Sequence, residues 1–62
     1  MTKLEKAEEK LWAARARLEV VEDILSMETD PAYRRNYTAQ KSRLRARIAD
    51  AERTINHLNK GA

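Results

Sequence analysis

Met27-Glu28-Thr29-Asp30-Pro31-Ala32 is the one place where this chain must stop being helical. Pro31 fixes its own φ and steers Asp30 out of the helical region, so Asp30 reads as an N-cap and Pro31 as the first residue of a new helix. On both sides of this break the pattern is helical. The expected organisation is a single domain, residues 1–62, with helix 1 over about 3–28, a turn at 28–30 and helix 2 over about 31–60.

Upstream, Leu4, Leu11, Leu18 and Leu25 recur every seven residues, with Ala7, Ala14 and Val21 interleaved at alternating steps of three and four. That is the a/d pattern of a helix that packs along another helix. Thr2 with Glu5 supplies a capping box at its start. Downstream, Tyr37, Leu44, Ile48, Ala51, Ile55 and Leu58 form a second seam. Gly61 after Lys60 reads as a left-handed C-terminal stop with a cation in the last turn.

At 1.5 Å per residue the two helices would be about 39 and 45 Å long. Matched helices joined by so short a connection predict an all-α, antiparallel hairpin. Folding about residues 29–30 sets Leu11 beside Ile48, Ala7 near Ala51 or Glu52, and Leu4 beside Ile55. The competing topology, one long helix kinked at Pro31, fits less well because Thr-Asp-Pro is a helix-start signal.

The chain has 62 residues, 37% of them charged, with one Gly, one Pro and no Cys. That is too little to wall a substrate cleft, and it excludes disulfides, thiolate metal sites, a cysteine nucleophile and glycine-rich phosphate loops. No apolar run approaches the about 20 residues of a membrane span, and residues 1–6 carry no secretory signal. A cytoplasmic, complete small protein is the expectation. Residues 1–30 hold five Lys/Arg against eight Asp/Glu, and residues 31–62 hold eight against two. An acidic half and a basic half attract when the chain folds back on itself.

Helix 1 carries a second apolar stripe. Ala13, Ala16, Val20, Ile24 and Met27 gather nearly opposite the leucine seam, and Trp12 stands at their edge. A helix that is apolar on two faces is covered on two faces. Helix 2 echoes this weakly with Ala32, Ala39 and Ala46, which ordinary helical composition explains. A hairpin of this size also lacks core, so association into a four-helix bundle or larger helical oligomer is expected. The expected protein interface is Trp12, Ala16, Val20, Ile24 and Met27.

Catalytic chemistry is absent from the pattern. His57, the single histidine, reads as a surface residue near a helix C-terminus. The carboxylates Glu5, Glu8, Glu9, Glu19, Glu22 and Asp23 alternate with Lys3, Lys6, Lys10, Arg15 and Arg17 as a solvated face with i,i+4 pairing. No catalytic, cofactor or metal site is expected. The strongest chemical feature is the stretch from Pro31 to Ala49, with six cations and no acid. Arg34, Arg35, Lys41, Arg43, Arg45 and Arg47, with Tyr33 and Tyr37 one turn apart, are candidate contacts to nucleic acid or a phosphorylated ligand. On a helical wheel Arg43 and Arg47 fall on one flank of the seam, Arg34, Lys41 and Arg45 on the other, and Arg35 outside. The opposing reading pairs these cations with Glu8, Glu19, Glu22 and Glu28, and packs Tyr33 and Tyr37 on Val21 and Leu25.

In length, charge-rich helices and Leu/Ala seam, the chain resembles the short antiparallel hairpins that dimerise into four-helix bundles, ROP-like in architecture only. No motif matches residue by residue. The leading functional expectation is a small non-enzymatic interaction protein that oligomerises with itself and binds, inhibits or regulates another protein. Its size suggests a bacterial or phage regulator. The alternative is an RNA, DNA or phosphorylated-ligand binder that uses helix 2. A third expectation is a purely structural assembly element.

Overall fold

The computed structural model describes residues 1–61 and consists of two helices, α1 (Lys3–Met27) and α2 (Pro31–Lys60), packed against each other as a hairpin. The capping box forms as expected: the Thr2 hydroxyl accepts from the Glu5 N–H at 3.1 Å, and the Thr2 N–H donates to Glu5 Oε1 at 3.1 Å. At the break, Glu28 and Asp30 are both extended. The Ala32 N–H donates to Asp30 Oδ1 at 2.8 Å, so Asp30 caps α2 with Pro31 in its first turn. The expected stop at Gly61 differs in conformation. Gly61 has φ −76° and ψ −9°, still right-handed, and its N–H donates to the His57 carbonyl at 3.1 Å. Glycine permits a left-handed residue but does not require one.

Both seams are where the spacing put them. Leu4, Leu11, Leu18 and Leu25 are half-buried along α1 and Ala7, Ala14 and Val21 are buried between them. On α2, Leu44 and Ala51 are buried, with Tyr37, Ile48, Ile55 and Leu58 half-buried. Two residues assigned from sequence to the flank of helix 2 belong to the seam itself. Counting back from Leu44 by three and then by seven reaches Lys41 and Arg34. Lys41 is half-buried and Arg34 reaches across to α1.

Across the hairpin Arg34 contacts the Leu25 and Glu28 carbonyls, Lys41 lies 3.6 Å from Glu22, and Ile55 shares a hollow with Leu11. The Arg34–Leu25 contact is itself centred on residues 29–30. The extended connection uses its residues to cross between the helices, and the α2 seam starts only at Arg34.

The interior is thin. Among the described residues five apolar ones are buried, three of them alanines, and only Val21 is fully enclosed. The molecule measures 48 × 15 × 14 Å with a radius of gyration of 14.3 Å, where a compact 62-residue domain has about 10.6 Å. Its accessible surface is 5051 Å², against about 4,100 Å² for a compact monomer of this mass.

Candidate binding surfaces of the hairpin

The outer face of α1 is the first surface. Trp12, Val20 and Met27 are 75%, 46% and 76% exposed, and Ala16 is exposed between them. Ile24, expected on the same stripe, is half-buried. Four residues turn an α-helix through slightly more than one revolution, so the row 12-16-20-24 winds around α1. It starts near Trp12 on one flank and ends with Ile24 turned toward α2. Trp12 lies over a shallow hollow formed with Glu8, Glu9, Leu11, Arg15 and Ile55.

The two flanks of the interhelical seam differ in charge. On the Trp12 side the cations have acidic neighbours. Arg15 Nη2 lies 3.4 Å from Glu52 Oε2, and Lys41 Nζ lies 3.6 Å from Glu22 Oε2. On the opposite side an open groove of about 1130 Å³ runs between the helices. Its rims carry Lys3, Lys6, Lys10 and Arg17 from α1 and Arg47, Arg53 and His57 from α2. The one acidic residue lining it, Asp50, lies 3.5 Å from Arg53 on its own helix. Ala7, Ala13, Ala14, Leu44, Ala51 and Leu58 form an apolar floor. A trough of this size exceeds the usual 300–1,000 Å³ or so of a small-molecule pocket and suits an extended partner.

The candidate anion contacts on helix 2 are dispersed rather than gathered. Arg34 Nη1 donates to the Leu25 carbonyl at 2.7 Å and the Glu28 carbonyl at 2.6 Å, closing the C-terminal end of α1. Lys41 faces Glu22. Tyr37 packs against the cluster of Ala14, Val21 and Leu44, whereas Tyr33 is 58% exposed. Arg35, Arg43 and Arg45 are exposed, and Arg47 alone of the set lines the basic groove. Of the pairing expected between helix 2 cations and Glu8, Glu19, Glu22 and Glu28, the Lys41–Glu22 pair forms; the other ion pair across the hairpin, Arg15–Glu52, runs the opposite way.

The groove is not visible from helix 2 alone. Lys3, Lys6, Lys10 and Arg17 looked like one face of an alternating surface helix. Their convergence with Arg47 is visible only once both helices are superposed in register. Arg17 marks that side directly, with Nη2 3.4 Å from Gln40 Oε1.

The side-chain hydroxyls of Ser26 and Thr54 are engaged locally, donating to the Asp23 carbonyl at 2.6 Å and the Asp50 carbonyl at 3.1 Å. Among the described residues no group of three or more His, Cys, Asp or Glu side chains is placed to hold a metal ion. No helix among them is long and apolar enough to cross a membrane. No protein-family model, curated protein or solved structure matches the chain.

Proposed function

We propose that this protein is a non-enzymatic helical interaction protein that associates with itself and acts by occupying a surface of another macromolecule. The observation that carries this reading is the exposed α1 face, with Trp12, Val20 and Met27 open on a hairpin whose core is mostly alanine. Scattered apolar residues are normal on a surface, but these lie within about four turns of one helix around a tryptophan. Large aromatics supply much of the binding energy at protein interfaces. Replacing Trp12 and Val20 by Glu is expected to abolish self-association or partner binding while circular dichroism stays helical. Unchanged sedimentation and unchanged binding in that variant would contradict the proposal.

A second reading is supported by the basic groove. Cations from both helices line one side with a single acid among them, which suits a polyanion such as nucleic acid. Under this reading Lys6, Lys10, Arg17 and Arg47, rather than the Arg34–Lys41 segment, contact phosphates. Affinity for a nucleic acid then falls steeply between low and physiological salt, and falls further when Lys10 and Arg17 are changed to Gln. Binding that ignores salt would dismiss it.

A further inference from the structure

The exposed apolar row of α1 lies between two rows of opposite charge. On the Trp12 side stand Glu5, Glu8, Glu19 and Asp23, all exposed; on the groove side stand Lys6, Lys10 and Arg17. Ala16, Val20 and Met27 run between them, and Glu9, on the same line as Met27 about five turns away, ends the apolar row and is the one acid that a parallel pair sets against its own copy. This asymmetry distinguishes the ways in which two copies can meet. A two-fold axis parallel to the helices brings each copy's acidic row against the other's basic row. A two-fold axis perpendicular to the helices, the antiparallel arrangement, sets acid on acid and base on base. Like charges in register oppose association, whereas complementary rows select the orientation.

We propose that the outer face of α1 docks a second copy of this chain in parallel, through its apolar row, with Glu8 and Glu19 of each copy against Lys10 and Arg17 of the other. The heights along the helix agree, because Lys10 is close in sequence to Glu8 and Arg17 to Glu19. Size complementarity points the same way. The parallel arrangement brings each Trp12, which stands on the acidic edge, toward the small Ala13 and Ala16 of the other copy. The proposal rests on the self-association reading above and adds its orientation.

Two measurements test it. The first is oxidation of a Met27→Cys variant, whose thiols meet across the axis in the parallel dimer but lie near opposite ends in the antiparallel one. The expected result is a disulfide-linked dimer in high yield. The second is sedimentation equilibrium of a Lys10→Glu/Arg17→Glu variant, expected to dissociate about tenfold or more readily than the unsubstituted chain. Adding Glu8→Lys and Glu19→Lys to the same chain restores complementary rows and recovers the dimer. An antiparallel dimer would not show this loss and recovery. A dimer that survives charge reversal and leaves the introduced thiol reduced would overturn the orientation while leaving self-association standing. An unsubstituted chain that stays monomeric would overturn both.

Discussion

Arg34 is the residue whose role in the structure departs furthest from its appearance in sequence. Set among arginines and tyrosines, it looks like a phosphate contact. In the folded chain its guanidinium donates twice to carbonyls left without partners at the end of α1. A cation there also meets the negative end of the helix dipole. Arg34→Ala is expected to cost about 1 kcal/mol of stability, because the released carbonyls stay accessible to water. Arg34→Lys recovers only part of that, since an ammonium lacks the planar fork; denaturant unfolding of the two variants reads the difference. Val21 stands at the opposite extreme, fully enclosed in the seam. Val21→Ala removes two methyl groups from that enclosed side chain, and about 2 kcal/mol of destabilisation is expected in the same assay. Gly61→Ala, by contrast, is expected to leave helix content and stability unchanged or slightly raised. Its φ is negative, and an added Cβ would meet the His57 and Leu58 carbonyls at ordinary contact distances of 3.5 and 3.7 Å.

At the scale of the helices, what was legible in the sequence is what depends on short range. The heptad leucines, the Thr2–Glu5 box and the Asp30-Pro31 start are local rules, and both helices begin where they place them. Less legible was the part played by Arg34 and Lys41, which sit at heptad positions that apolar patterning alone passes over and reach across to α1. The missed groove has the same origin. A wheel drawn for α2 cannot show that Lys6, Lys10 and Arg17 come to lie along the Arg47 flank. The winding of the 12-16-20-24 row explains why Ile24 was placed with Trp12 from spacing yet turns toward α2. Five interface residues were expected on one face; four of them are exposed there.

As a whole molecule, the hairpin is long, thin and poorly filled. It exposes more surface than a compact chain of its mass, and three of its five buried residues contribute only a methyl group each. Self-association would supply apolar burial that the hairpin does not, so melting temperature should rise with protein concentration. The two proposed uses of the surface differ in how strongly salt acts on them. Polyanion binding, as proposed, is expected to weaken as salt rises and to follow the cations at 6, 10, 17 and 47. Self-association, as proposed, is expected to respond first to the apolar residues at 12 and 20 and less to charge.

Trp12 is the only tryptophan in the chain, so its fluorescence reports on the α1 face without labelling. Emission spectra recorded over a dilution series from high micromolar concentration, alongside sedimentation equilibrium, test directly whether that face is covered. The account predicts a blue-shifted indole in the associated protein that moves to the red as the protein dissociates. An indole that emits as water-exposed at every concentration, in a chain that sediments as a folded monomer, would contradict it.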